Sequence, residues 1–268
     1  MPLRRLLRAS VPEETLKTVA EEVVRRYGGS SATFEKLEAD NWLSVPLVVD
    51  DRWFVKVIAD QHTLLHGVLT AGRNLGARSS GREGFFEHFS TPVEMAQHEL
   101  TSTRAMHELG VNAPEPKEAF EHDGLGVLVL EYLPAFRTLG ELPPEEIAAF
   151  APALFENLSQ MHEAQIAHGD LRAENVLVAS DDGGEETLYF IDATRVGAIE
   201  DARAYDLACA LASLSAHIEA RAAVEAALEH YSTEELLAAR EFIDFVNMRP
   251  DHDFEAAVVR GEIERAAS

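Results

Sequence analysis

Only one cysteine, Cys209, stands among 268 residues, which excludes an internal disulfide and a thiolate metal cluster. Lysine is almost as scarce: Lys17, Lys36, Lys56 and Lys117 are the whole set, and arginine supplies the rest of the 23 basic residues. Against these stand 47 acidic residues, for a formal net charge of −24. A surface so acidic repels polyanions, so neither nucleic acid nor an anionic membrane is an expected partner. No apolar run approaches the roughly 18 residues of a membrane-spanning helix. Arg4, Arg5 and Arg8 could open a secretion signal, but no apolar segment follows them, so the expectation is a soluble, cytoplasmic chain. Abundant acid, alanine and valine with few lysines is the composition expected of a salt-in, halophilic cytoplasm.

What is present reads as strands first and helices later. Ser10, Val11, Pro12 and Glu13 have the spacing of a capping box, and Leu16, Val19, Ala20, Val23, Val24 and Tyr27 recur at helical spacing up to Gly28. Strands are expected over 33–37, 42–49 and 53–58, with Pro46 marking the second as an edge strand or a bulge. Residues 71–84, rich in Gly, Ser and Arg without periodicity, read as a loop. A helix opens at Thr91-Pro92-Val93-Glu94 and stops at Gly110, and 125–132 read as a buried strand ended by Pro134. Helices follow over 144–163, 202–218, 219–230, 233–247 and 253–266. Short strands at 175–178 and 188–191, around an acidic turn, interrupt them. The pattern predicts an α+β, bilobal chain with a small strand-rich N-terminal lobe (1–133) and a helical C-terminal lobe (134–268).

The stretch "IAHGDLRAENVLV" at 166–178 places five polar residues immediately before a strand. Asp192, in "LYFIDATRV", follows the next strand, so a hairpin brings it close to Asn175. One carboxylate and one amide oxygen suit Mg²⁺, which takes hard oxygen ligands and keeps water and phosphate for the rest. Asp170 is then a second carboxylate in the same space, suited to orient a hydroxyl or accept its proton.

An H-x-D-x-x-x-x-N segment, an apolar strand and then Asp resemble the catalytic centre of the protein-kinase-like fold. The sequence is similar to the atypical branch of that superfamily: RIO-type kinases, the kinase subunit of the KEOPS tRNA-modification complex and, more distantly, aminoglycoside phosphotransferases. The resemblance covers about 34–212 and is strongest over 166–194. It implies ATP and Mg²⁺ as cofactors. It also implies a lysine on a central strand, supplied by Lys56 in "RWFVKVI", and a helical glutamate to pair with it. Glu99 fits that place, whereas Glu94 fits better as a capping residue. Backbone around Glu131 and Leu133 takes the place of an adenine-binding hinge. Asp206 matches an aspartate that braces the catalytic loop, and an ordinary acid in a first helical turn is the other reading. Arg172 stands where many protein kinases carry a lysine that steadies the transferring phosphate. His168 is expected to brace the loop rather than take part in chemistry.

The departures are as specific as the matches. No glycine lies between Ala32 and Val55, so a glycine-rich phosphate loop is missing; Asn41 and Ser44 are the candidate side-chain donors in its place. Gly169 replaces the arginine that reads a phosphorylated activation loop, and Ala193 and Thr194 follow Asp192 in place of Phe-Gly. Only 13 residues separate Asp192 from Asp206, too few for a standard peptide platform. Ser79 and Ser80 in the 71–84 loop are candidate autophosphorylation sites, with a passive linker as the plainer reading. His62 and His66 are spaced i, i+4 without an acid to complete a metal site.

These readings converge on an ATP- and Mg²⁺-dependent phosphotransferase, an atypical RIO-like serine/threonine protein kinase acting on an unknown hydroxyl acceptor. The alternatives are a small-molecule kinase of the aminoglycoside or sugar type and a non-catalytic nucleotide-binding pseudokinase scaffold.

Overall fold

The computed structural model describes residues 11–37, 44–63, 89–180, 184–193, 199–249 and 252–268, with Ile199 described in its backbone only. The chain divides into two compact units. Among the described residues, the first unit holds an antiparallel sheet, the helix preceding it and most of the helix inserted into it. The second holds Ala105–Ala113 and Ala135–Ser268. The segment Ala105–Ala113 therefore groups with the second unit rather than with the residues before 134.

In the first unit, α1 (Glu13–Arg26) buries Leu16, Val19, Ala20, Val23 and Val24, the stripe that the spacing predicts. Its N-cap is Pro12, and Ser10, the residue expected to open a capping box, lies outside the described residues. The strands β1 (Phe34–Lys36), β2 (Val45–Val49), β3 (Trp53–Ile58), β4 (Pro116–His122) and β5 (Leu125–Glu131) form one sheet in the order β1-β2-β3-β5-β4. All its pairings are antiparallel.

Pro46 does not make β2 an edge strand, because β2 pairs with both β1 and β3. The Pro46 carbonyl accepts the Leu37 N–H at 3.1 Å. Its missing N–H therefore faces β1, where that short strand ends, and the proline interrupts almost nothing. The strand β4 was not expected from the sequence. Of its residues only Phe120 is fully buried, so the charged "PKEAFEH" carries little apolar alternation.

Alternation on β3 and β5 splits the apolar residues between the sheet's two faces. Val55, Val57, Val127 and Val129 pack with α1. Ile58, Leu128 and Leu130 pack with Ala96 and Leu100 of α2 (Pro92–Glu108). Gly126 admits the start of α2 onto the sheet: a Cβ there would lie 2.1 Å from the Pro92 carbonyl oxygen. Thr91 Oγ1 accepts the Glu94 N–H at 3.2 Å and Glu94 in turn accepts the Ser90 N–H at 2.8 Å, a reciprocal cap.

The second unit contains a small antiparallel sheet of β6 (Arg137–Thr138), β7 (Val176–Ser180) and β8 (Glu186–Phe190). Its helices are α3 (Pro144–Glu163), α4 (Ile199–Ser215), α5 (Ala220–Leu228), α6 (Thr233–Arg240), α7 (Ile243–Asn247) and α8 (Ala256–Ala266). The single helix expected over 233–247 is thus two. A capping box of Ser232 and Glu235 starts α6. The core is continuous from Leu154, Phe155 and Leu158 on α3, through Tyr205 and Leu207–Leu211 on α4, to Val259 and Ile263 on α8. Among the described residues, no helix is long and apolar enough to cross a membrane.

Candidate active site

Lys56 lies on the α2-facing side of β3, between Phe54 and Ile58 in the alternation, and is only 4% exposed. Its strand is interior, so a role in guarding a sheet edge is excluded. On α2, Glu99 lies one turn from Ala96 and beside Leu100, on the same sheet-facing side. Lys56 Nζ donates to Glu99 Oε1 at 2.6 Å, and the ring of Phe54 lies 6.0 Å from the ammonium. A buried ion pair of this kind contributes little net stability, because desolvation offsets the attraction. What it does is hold an ammonium in one place.

In the second unit the loop between α3 and β7 is held by α4. Asp206, fully buried, accepts the backbone N–H of His168 at 2.5 Å and of Gly169 at 2.7 Å. Behind it, His162 Nε2 lies 3.2 Å from the Asp206 carboxylate and the Tyr231 hydroxyl 2.8 Å from His162 Nδ1, a chain of hydrogen bonds that reaches Asp206 from the protein interior. Ser213, also on α4, accepts the Ala173 N–H at 3.1 Å. Gly169 stands at φ +79°, the left-handed region where glycine is favoured.

Asn175 ends a short 3₁₀ turn, Ala173–Asn175. Its Nδ2 donates to the Asp170 carbonyl at 2.8 Å, which fixes the amide, and its own carbonyl accepts the Ile191 N–H at 3.0 Å. That second bond places Asp192, the next residue, beside the loop. Asp192 stands at φ +61°, an unusual conformation for a side-chain-bearing residue and one found disproportionately at functional sites. His168 is fully buried, and burial holds its pKa below 6.5 against the raising influence of Asp206, Asp170 and a hydrogen bond to the Ile191 backbone. The imidazole is therefore neutral, and its Nδ1 accepts the Asp170 N–H at 3.4 Å.

Asp170 itself is 16% exposed in its side chain and carries two guanidinium groups. Arg172 Nε lies 3.5 Å from Oδ2, and Arg249, in the turn after α7, donates to Oδ1 at 2.6 Å. Arg172 also reaches Asn175 Oδ1 at 3.5 Å. The donor set fits Mg²⁺: Asn175 offers an amide oxygen whose nitrogen is already committed, and Asp192 offers a carboxylate. Among the described residues no group of three His, Cys, Asp or Glu side chains could hold a metal. Cys209 takes no part, since burial pushes its thiol up to about 12.

Other expected positions are placed as follows. Ser44 is buried just before β2, whereas Asn41, Ser79, Ser80 and His66 lie outside the described residues. At the end of β5, the Glu131 N–H donates to the Glu115 carbonyl at 2.9 Å and the Tyr132 N–H to the Arg52 carbonyl at 3.0 Å. Both donors are committed to the sheet, and Leu133 is buried beyond them. His62 Nδ1 accepts the Ala59 N–H at 2.8 Å, a structural use. Sequence reasoning missed Arg249, Tyr205, His162 and Tyr231. Arg249 lies 79 residues from Asp170 in "NMRPDHD", a stretch without periodicity or motif.

An antiparallel sheet with a lysine–glutamate pair, followed in the sequence by a helical unit carrying this loop, is the arrangement expected from the resemblance to protein-kinase-like folds. In agreement, residues 84–206 match the RIO domain family, a segment that ends on Asp206. The PknI kinase domain of Mycobacterium tuberculosis, as a double mutant, is 14% identical over 88% of this chain and 94% of its own, with a TM-score of 0.45. A putative fructosamine-3-kinase from Haemophilus somnus 129PT is 12% identical over 94% and 97% of the two chains, with a TM-score of 0.49. The PAN3 pseudokinase of Neurospora crassa is 14% identical over 82% of this chain and 55% of its own, with a TM-score of 0.40. No curated protein matches the chain.

Proposed function

We propose that the chain is an ATP- and Mg²⁺-dependent phosphotransferase of the RIO-like kind, acting on a serine or threonine hydroxyl of a protein. The observation that carries this reading is the Ile191 N–H to Asn175 carbonyl bond. It brings the backbone before Asp192 to that of Asn175, on a loop whose aspartate, Asp170, lies against Arg172 and Arg249.

In this reading Asp170 aligns the acceptor hydroxyl. The acceptor oxygen forms its bond to the γ-phosphorus as the bond to the β,γ-bridging oxygen breaks, ADP leaves, and the hydroxyl proton passes to Asp170 and then to solvent. Lys56, fixed by Glu99, holds nucleotide phosphate oxygens. Asn175 and Asp192 hold Mg²⁺, which when bound neutralises charge on the phosphates. Arg172 faces the transferring group with a planar fork where a lysine would present a point charge. In this reading backbone around Glu131 and Leu133 meets an adenine edge, and Ser44 with Asn41 takes the place of the missing glycine-rich loop. Rate acceleration then comes from positioning and charge stabilisation.

The test is phosphate transfer from ATP by the wild type and by Asp170→Ala. A lost general base lowers turnover by on the order of 10²–10⁴. Equal rates would refute the assignment.

A second reading, a small-molecule kinase, is favoured by the 13 residues between Asp192 and Asp206, too few for a peptide platform. Transfer to aminoglycosides or sugars, with none to protein, would select it.

A further inference from the structure

Tyr205 and Asp206 are consecutive residues of α4, and each reaches the same loop by a different route. Asp206 holds the loop's backbone through the His168 and Gly169 N–H groups. Tyr205, fully buried and wedged against Phe242 and Phe245 with ring centroids 6.0 and 5.8 Å away, accepts a hydrogen bond from Arg249 Nη1 on its hydroxyl oxygen. The other guanidinium nitrogen of Arg249 donates to Asp170 Oδ1 at 2.6 Å. Arg249 is itself buried, at 8% exposure, and its backbone is tied by its N–H to the Val246 carbonyl at 3.0 Å.

A buried guanidinium is planar, and two of its nitrogens are engaged by groups on different elements. It cannot turn without breaking both bonds. Arg249 holds one oxygen of Asp170 and Arg172 Nε lies 3.5 Å from the other, so rotation of the carboxylate is restricted from both sides. We propose that Arg249 is a positioning residue for Asp170, anchored by Tyr205, which sets the angle at which the carboxylate meets the acceptor hydroxyl. The inference rests on the phosphotransferase reading. It makes the turn after α7 part of the active-site support, although no local motif marks it.

The opposite role would be obstruction, with Arg249 occupying an oxygen that the acceptor needs. The two roles differ in sign. Removing a positioning residue lowers turnover, whereas removing an obstruction raises it.

The experiment compares wild type, Arg249→Ala, Arg249→Lys and Tyr205→Phe in ATP-dependent phosphate transfer, with urea unfolding as a check on the fold. Arg249→Ala is expected to lower kcat by on the order of 10- to 100-fold, the loss caused by misplacing a reacting group by about an ångström, with the KM for ATP unchanged. Millimolar guanidinium should restore part of that kcat, which it would not do for a merely structural loss. Arg249→Lys should fall in between, since it keeps the charge without the fork. Tyr205→Phe should lower kcat less than Arg249→Ala and also spare the KM. If Arg249→Ala does not fold, the Lys and Phe variants decide by the same split.

Unchanged or raised kcat in the folded variants overturns the inference and leaves the kinase reading intact. A wild type that transfers no phosphate removes the kinase reading itself, and this inference with it.

Discussion

Asp206 accepts the Gly169 N–H at 2.7 Å, and Gly169 holds φ +79° where it does so. The bond and the backbone conformation depend on each other: a loop that left the left-handed region would turn its N–H away from a fully buried carboxylate. The arrangement ties a helix of the second unit to the residue immediately before Asp170.

Gly169→Ala is therefore expected to destabilise the protein by about 1–2 kcal/mol, the penalty for a Cβ in the left-handed region. Its turnover should fall by more than that stability loss explains, because the next residue is Asp170. Urea unfolding beside ATP turnover separates the two effects. A variant with reduced stability and full turnover would show that the loop backbone does not set the position of Asp170.

Lys56 and Glu99 allow a sharper separation. Replacing either one alone leaves a buried charge without its partner, so Lys56→Met is expected to cost about 3 kcal/mol, the low end for a broken buried pair, since Glu99 keeps 15% exposure. Lys56→Met combined with Glu99→Leu should recover most of that stability and none of the activity. Recovery of activity in the double variant would assign the pair to folding alone.

The neutral His168 gives a pH dependence of definite sign. Its folded pKa lies below the unfolded value of 6.5, so the unfolded chain binds more protons between the two. The stability that His168 contributes is complete above 6.5 and is lost as the pH falls through the folded value. Unfolding free energy should decline below about pH 6.5, and His168→Gln should flatten that decline. An unchanged profile in the variant would place the acid sensitivity among the carboxylates.

The net charge of −24 predicts a response to salt. Carboxylate self-repulsion acts over about 10 Å at 0.1 M ionic strength and about 3 Å at 1 M, so molar KCl should raise the midpoint of thermal unfolding. A midpoint independent of KCl would count against the halophilic reading of the composition.

The parts legible in the sequence were those with a period or a fixed spacing. Lys56 stood out as a charge inside "WFVKVI" in a chain with four lysines, and Asp170, Asn175 and Asp192 by their spacing around a strand. The strand β4 was hidden because its residues are mostly charged or half-buried, which leaves no alternation to read. Pro46 misled because its effect depends on which neighbour its missing N–H faces, a matter of sheet order rather than of sequence. Arg249, Tyr231 and His162 act across 79, 69 and 44 residues of chain, and such long-range pairings leave no local trace.

The most direct test of the account is transfer of label from γ-labelled ATP at high KCl, with and without Mg²⁺, by the wild type and Asp192→Ala side by side. The account predicts Mg²⁺-dependent transfer by the wild type, to itself or to an added hydroxyl acceptor, and its loss by on the order of 10²–10⁴ in the variant. Mg²⁺-dependent ATP binding without transfer, or equal transfer by both proteins, would contradict it.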